Sequence, residues 1–328
     1  MKALVLGATG MIGGNIARAL AAAGIAVRGL KRPGSSTWHL EDVPIEWVVG
    51  DLVDRPSLVA SMEECQVIFH AAAYYPQHSY DLPGDLRTAI TSLRNVLTAA
   101  VGTRVEKMIY TSSLTTVGPP TEPGHLADER DWYLPGSTRS AYFEVKYAME
   151  MEVFHAVATG LPAVVVNPTV VLGPGDVKPT TGALLVSVAK GQVPAWVPLT
   201  VNIVDVRDVA AAQVTAIERG RVGERYILGG HNVSVQQALT LAAVLAGVRP
   251  PRRPVSLKLI DALVRLGEAA GRLPLFPPLP LEHAKTMRQW QPLNTEKAQN
   301  ELGLRPRPLE ETIRDSLTWF RTHGYISK

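Results

Sequence analysis

The chain has 328 residues, enough to bury a large core in one domain with a smaller lobe. Apolar residues make up 46% and charged residues 19%, and the net charge of +3 is scattered, which excludes the basic stripe of a nucleic-acid binder. A single cysteine, Cys65, excludes an intramolecular disulfide framework and an all-cysteine zinc site, and no apolar run approaches the ~20 residues that span a bilayer.

The chain opens with Ala3-Leu4-Val5-Leu6, a buried first strand by its apolar run. Gly7-Ala8-Thr9-Gly10-Met11-Ile12-Gly13 follows, and then a helix from Asn15 that ends at Gly24. Lys2 before an apolar run resembles the start of a secretory signal. Gly7, Gly10, Gly13 and Arg18 interrupt that run, and strand, turn and helix account for it better, so a cytoplasmic protein is expected. Strand, glycine turn, helix is the context of a dinucleotide site. Glycines let the backbone approach a pyrophosphate, and the helix N-terminus offers free N–H groups and a partial positive charge. The spacing is GxxGxxG, and its position at the N-terminus after a strand points to nucleotide binding.

Further strands are expected at 26–30, 46–49, 67–71, 107–111 and 163–167, and helices at 13–23, 56–62, 85–101 and 141–158. Strand-then-helix order predicts an α/β fold, a Rossmann-type doubly wound parallel sheet with helices on both faces. Ligands then lie at the carboxyl ends of the strands. The residues found there are Gly7, Lys31 and Arg32, Asp51, Ala71-Ala72-Ala73, Ser112-Ser113 and Pro168. From about residue 169 the chain becomes rich in proline and glycine. Residues 1–168 are therefore expected to form the dinucleotide-binding domain, with a segment at about 202–230 returning to it, and 169–328 mainly a substrate-binding lobe. Leu273 to Leu281 is apolar and proline-dense, and reads either as an extended segment packed on the core or as the wall of an apolar pocket. Leu309 to Phe320 has the pattern of an amphipathic helix facing the core.

Tyr142 and Lys146 are four apart and share one face of a predicted helix. A phenol with a pKa near ~10 is a weak acid at neutral pH, and a nearby ammonium lowers that pKa. A serine hydroxyl from Thr111-Ser112-Ser113 can hold the same oxygen. Together they can exchange a proton with a carbonyl or alcohol while hydride moves at the adjacent carbon.

These motifs resemble the extended short-chain dehydrogenase/reductases, the NAD-dependent epimerase/dehydratase superfamily. The similarity covers essentially the full length and rests on Gly7–Gly14, Gly50-Asp51-Leu52, His70-Ala71-Ala72-Ala73, Asn95-Val96-Leu97, Tyr110-Thr111-Ser112-Ser113, Tyr142–Lys146, Asn167-Pro168-Thr169, Gly173-Pro174 and Ile313-Arg314-Asp315. Within it the chain most resembles the dihydroflavonol-reductase-like proteins and the hopanoid-associated sugar epimerase group. The resemblance implies Tyr142 as acid/base, Lys146 as the residue that holds the nicotinamide ribose and tunes Tyr142, and Ser113 rather than Ser112 as the catalytic hydroxyl. It implies cofactor contacts from Gly7, Thr9, Gly10, Met11, Ile12, Gly13, Lys31, Arg32, Asp51, Leu52, Ala71, Ala72, Ala73, Tyr142, Lys146, Pro168 and Thr169. NAD-binding members carry an acid at the end of the second strand. Lys31 stands there, followed by Arg32, and two cations favour the 2′-phosphate of NADP, with NAD as the alternative.

Two departures bear on the substrate. Nucleotide-sugar enzymes often place an arginine where Val201 stands, and Asn-Val-Tyr-Gly-Pro where this chain has Val170-Val171-Leu172-Gly173-Pro174. Both make the pocket less suited to a nucleotide diphosphate. The first reading is thus an NADP(H)-dependent oxidoreductase acting on the ketone or alcohol of a small, partly apolar molecule. The alternative is a nucleoside-diphosphate-sugar or other sugar epimerase with the same triad, and a third is an NADP(H)-sensing regulatory protein. Partners are a small-molecule substrate, with no nucleic acid and no membrane span; a homodimer stays open. His70 reads as structural, and His78, His125, His155, His231, His283 and His323 lack a carboxylate cluster, so no metal is expected. Tyr74 and Tyr75 read equally as cleft or packing residues, Cys65 as a buried thiol, and Asp128-Glu129-Arg130-Asp131 as a solvated loop cluster or otherwise as the edge of the active-site mouth.

Overall fold

Strands buried on both faces pair edge to edge under two layers of helices, and among the described residues seven strands form one sheet, six of them largely buried and the edge strand Ile45–Val49 partly exposed. They are β1 (Lys2–Leu6), β2 (Ala26–Lys31), β3 (Ile45–Val49), β4 (Val67–His70), β5 (Lys107–Thr111), β6 (Ala163–Pro168) and β10 (Arg225–Leu228). All run parallel, in the order β10-β6-β5-β4-β1-β2-β3. The structure, a computed structural model, describes residues 1–72, 74, 76, 81–138, 140–260, 262, 266, 287 and 289–326. Ala73, Tyr75, His78, His283 and the 273–281 segment lie outside the described residues.

Alternation along β1 shows how the two layers arise. Ala3 and Val5 join the core formed with α1 (Met11–Ala22) and α6 (Val206–Arg219). Leu4 and Leu6 join the opposite core, with α2 (Arg55–Met62), α3 (Leu82–Gly102) and α4 (Ala141–Ala158). The strand order reverses beside β1, which pairs with β2 on one side and β4 on the other. The six expected strands and four expected helices are all present. The starts of two helices differ, for local reasons. Gly10 caps α1, so that helix begins at Met11, and the Asp81 carboxylate accepts from the Gly84 backbone N–H, so α3 begins at Leu82.

The second half builds a smaller lobe. β7 (Val170–Leu172), β9 (Thr200–Asp205) and β11 (His231–Ser234) form a three-stranded sheet, and β8 (Ala195–Trp196) pairs with β12 (Arg253–Pro254). Its core is shared with α5 (Gly182–Ala189), α7 (Val235–Ala246) and α9 (Leu309–Thr322). Ser234 and Gln237 form a reciprocal capping box on α7, and Gly247 ends it in the left-handed region at φ 75°. The chain returns to the large sheet through α6, β10 and α8 (Glu296–Glu301), whose Ala298 packs in the same core as α1.

Charge holds the two parts together at the start of α6. Asp205 is buried and accepts from the Arg207 backbone N–H at 2.8 Å and from its Nε at 2.9 Å. Arg207 reaches Asp315 of α9 at 2.7 Å, which gives the Ile313-Arg314-Asp315 stretch its physical meaning. Arg307 pairs with Asp208 at 2.8 Å. The Arg207→Ala substitution leaves the Asp205 carboxylate with the residue 207 backbone N–H and with Arg307 at 3.9 Å, but without its close guanidinium partner. It should lower the unfolding free energy by about 1–3 kcal/mol in denaturant titration; a variant as stable as the wild type would show this cluster to be stabilising nothing.

Candidate active site

The glycine turn is built by exclusion. Gly7 has φ +87°, and a Cβ there would stand 2.6 Å from the Ala72 backbone nitrogen. A Cβ on Gly13 would stand 2.2 Å from the Gly7 carbonyl oxygen. The first glycine therefore lets β1 turn beside the end of β4, and the third lets α1 start directly above that turn. Among the described residues a side chain at Gly10 would meet only the Gly7 carbonyl, at 3.4 Å, so they leave the space in front of the α1 N-terminus open. No side chain caps that helix and its first turn carries no acid, which leaves its N–H groups for an anion.

That turn opens into a cavity of about 520 Å³ at the carboxyl ends of the strands. Of the residues singled out from sequence, Gly7, Thr9, Gly10, Lys31, Arg32, Asp51, Leu52, Ala71 and Ala72 line it together. Lys31 ends β2 with its ammonium 5.6 Å from the centre of the Trp47 ring, and Arg32 is exposed at the rim. Asn95 donates to the backbone carbonyls of Leu52 and Val53 at 3.2 and 3.3 Å and so fixes the Asp51–Leu52 wall to α3. Tyr74 also lines the cavity, with its hydroxyl donating to Asp85 at 2.6 Å. Met11, Ile12 and Gly13 form the first turn of α1 and do not line this cavity; Met11 borders a separate one of about 680 Å³ on the far side of the helix. Pro168 ends β6, and Thr169 packs against Gly229, also outside the cavity lining. The open turn, the small residues Ala71 and Ala72 and the two cations fit a nicotinamide dinucleotide.

Tyr142 lies in the first turn of α4 and Lys146 one turn later. The Tyr142 hydroxyl donates to Ser113 Oγ at 3.4 Å, whereas Ser112 points away and donates to Glu150. Geometry thus brings Ser113, not Ser112, to the phenol. Lys146 is 3% exposed, and loss of hydration pulls its pKa down to about 8, against the nearby Glu150 carboxylate, which raises it. Tyr142 shows the opposite of the lowering expected from an adjacent ammonium. Enough protein surrounds the partly exposed ring that burial pushes its pKa up, and the Ser113 hydrogen bond pulls the other way. His70 sits at the back of the cavity, fully buried, with neither ring nitrogen hydrogen-bonded among the described residues. Burial first, and the Lys146 charge second, hold its pKa down to about 4.

Beneath this group lies a polar cluster that sequence reasoning missed. Glu150 is completely buried, and its Oε2 accepts from Ser112 Oγ, from Thr116 Oγ1 at 2.6 Å and from Asn167 Nδ2 at 2.9 Å. Its Oε1 lies 3.1 Å from Nε of Arg225, a buried guanidinium packed 3.9 Å from the centre of the Trp132 ring. The available signal was the repeat of polar residues at 142, 146 and 150 along one helix face. The Asp128–Asp131 stretch needs correction: only Arg130 is exposed. Asp131 is buried and accepts from Thr121 and the Asp128 N–H, and Glu129 accepts from the Ile227 N–H at 2.8 Å. These carboxylates serve backbone donors that would otherwise be buried unpaired.

Residues 3–229 match the model of the NAD dependent epimerase/dehydratase family. The chain belongs to this family. A Synechocystis protein named "Putative dihydroflavonol 4-reductase" is 36% identical, over 98% of this chain and 95% of its own. The sterol demethylase protein B of Methylococcus capsulatus is 29% identical, over 99% of this chain and 100% of its own. Among solved structures, PA4631 of Pseudomonas aeruginosa, described as a nucleoside-diphosphate-sugar epimerase, superposes with a TM-score of 0.85 at 29% identity over 100% of this chain and 99% of its own. The family and these relatives make the chain an NAD-dependent enzyme of the reductase/epimerase kind. Among the described residues no helix is long and apolar enough to cross a membrane, and no cluster of three or more His, Cys, Asp or Glu side chains could hold a metal.

His70 gives the site a pH signature. Its folded pKa of about 4 lies below the unperturbed 6.5, so the unfolded chain binds the extra proton between those values. Stability is therefore lost as pH falls from about 6.5 to 4, by up to about 3 kcal/mol. In His70→Phe, which keeps a ring but cannot titrate, the fall in melting temperature over that range should be smaller than in the wild type. An equal fall in both proteins would rule out His70 as its source.

Proposed function

We propose that this enzyme is an NADPH-dependent reductase of a ketone on a small, partly apolar molecule, with Tyr142 as the acid/base. The observation that carries the reading is the approach of the Tyr142 and Ser113 hydroxyls, 3.4 Å apart, on the helix that holds buried Lys146 one turn on. Bound NADPH would supply the hydride. Ser113 and Tyr142 hold the substrate oxygen from one side, and Tyr142 delivers its proton there as charge builds on that oxygen. Protonated Lys146 then stabilises the phenolate, and its pKa of about 8 leaves it mostly charged at neutral pH. The Gly7–Gly13 turn would hold the pyrophosphate, with Asp51, Leu52, Ala71 and Ala72 beside the adenosine. Lys31 and Arg32 at the rim would take the 2′-phosphate, since no acid ends β2 to receive a free ribose hydroxyl.

The small lobe, residues 169–328, would supply the substrate side. Val201 supports an apolar substrate: it is 3% exposed inside the lobe's hydrophobic core, at the position where nucleotide-sugar enzymes often carry arginine. The names of the Synechocystis and Methylococcus relatives, a flavonoid-type reductase and a sterol-processing protein, agree with such a substrate. One observation favours sugar epimerisation as a second reading: the full-length likeness to PA4631, described as a nucleoside-diphosphate-sugar epimerase. The same Ser113, Tyr142 and Lys146 would serve it, with the cofactor retained through the cycle.

Tyr142→Phe removes only the phenolic oxygen. Turnover should fall by about 10²–10⁴-fold, with NADPH affinity within a few-fold, in paired kinetic and fluorescence titrations. Near-normal turnover on a confirmed substrate would refute the acid/base assignment. Direct titration should also show tighter binding of NADPH than NADH, and Lys31→Ala combined with Arg32→Ala should abolish the difference. Equal or tighter NADH binding by the wild type would contradict the role given to these cations.

A further inference from the structure

We propose that Glu150 is a positioning residue for this reaction, clamping the Ser112–Thr116 turn onto α4 so that Ser113 stays in register with Tyr142. The inference rests on the reading of Ser113, Tyr142 and Lys146 as the reacting set.

Ser113 and Tyr142 come from different parts of the fold. Tyr142 belongs to the first turn of α4, whereas Ser113 follows β5 and caps a single turn of 3-10 helix, Leu114–Thr116. Their own contact, at 3.4 Å, is too long to hold the two segments together. The binding force lies two turns deeper in α4. Oε2 of Glu150 gathers hydroxyl protons from Ser112 and Thr116, which flank Ser113 and the residues just after it. Asn167 of β6 completes the grip: its Nδ2 lies 2.9 Å from Glu150 Oε2 and 3.2 Å from the Ser113 carbonyl oxygen. One carboxylate thus fastens α4, the end of β6 and the serine turn to a common point. Hydrogen bonds to a charged acceptor are the stronger kind, and burial removes competing water.

A buried carboxylate survives only if it is paired. Arg225 of β10 provides the partner, at 3.1 Å, and is itself held by the Thr116 carbonyl at 3.1 Å and by the Trp132 face. Glu150 also acts at a distance on Lys146, one turn before it on the same helix face, where its negative charge opposes the loss of hydration. From β4 the group facing Lys146 is His70, which is neutral above about pH 4. From β5 the neutral phenol of Tyr110 lies near Glu150 and Tyr142. Removing the Glu150 charge therefore leaves Lys146 with a still lower pKa, and among the described residues its neighbours His70 and Tyr110 are both neutral near pH 7 and do not compensate.

The test compares full-length wild type with Glu150→Gln, using NADPH and a ketone that the wild type reduces. The kcat should fall about 10- to 100-fold with KM and NADPH affinity within about threefold, because the reacting groups are misplaced while binding contacts remain. The alkaline limb of kcat/KM, set by loss of the Lys146 proton, should move to lower pH. Ser112→Ala, which keeps the charge, should lower kcat by about three- to tenfold and leave that limb in place. A Glu150→Gln enzyme with kcat within about threefold of the wild type, or with the limb unmoved, overturns the inference. If Glu150→Gln does not fold, Ser112→Ala and Thr116→Val decide, and unchanged kcat in both overturns it. Failure of the wild type to oxidise NADPH with any ketone would sink the reductase reading alone. The same kcat ratios and pH limb would then be read on sugar interconversion, which would use the same triad.

Discussion

The site depends on a place where no side chain fits. The backbone of Gly7 lies against Ala71 and Ala72, and the Cα of Gly13 lies against the Gly7 carbonyl. Any Cβ at either position would meet backbone atoms, which cannot swing aside as side chains can. This close approach sets the distance between β1, the end of β4 and the N-terminus of α1. Because β1 and β4 are neighbours at the point where the strand order reverses, the same contact opens the crevice in which the cavity lies.

Around that crevice, charge and burial are set against each other. Lys146, His70 and Glu150 are all removed from water, and each responds differently. The lysine loses proton affinity and the histidine gives up its charge, while the glutamate keeps company with an arginine and three hydrogen-bond donors. Such a cluster is expensive to assemble and is rigid once assembled. The ion pairs of Arg207 and Arg307 do comparable work between α6 and α9, where the two parts of the chain meet.

The parallel sheet was legible because its strands are apolar on both faces and separated by helical periodicity, as in Ala3–Leu6 and Ala163–Asn167. Gly7, Gly10 and Gly13 were legible as a turn because only glycine permits that packing. Lys31, Arg32, Asp51 and Ala71 could be placed in one cavity because a parallel sheet delivers every strand end to the same edge. What the sequence concealed were contacts between distant residues. Nothing local to Arg225 indicates that it neutralises Glu150, 75 positions earlier by number, and nothing local to Asp131 indicates that it satisfies Thr121. The small lobe was less legible for a related reason. Its strands β8 and β12 are two residues each, too short to show a period, and their pairing is set by the larger core around them.

A reductase would pass hydride from NADPH to a ketone carbon and keep it there, whereas an epimerase would first take hydride from the substrate alcohol onto oxidised cofactor and then return it to the other face. The most direct measurement follows that hydride, with NADPH deuterated at the transferred position and a ketone substrate. The proposed reductase places one deuterium on the carbinol carbon of the product for each NADPH oxidised. Interconversion of a sugar nucleotide with no net oxidation of NADPH and no deuterium in the product would contradict it.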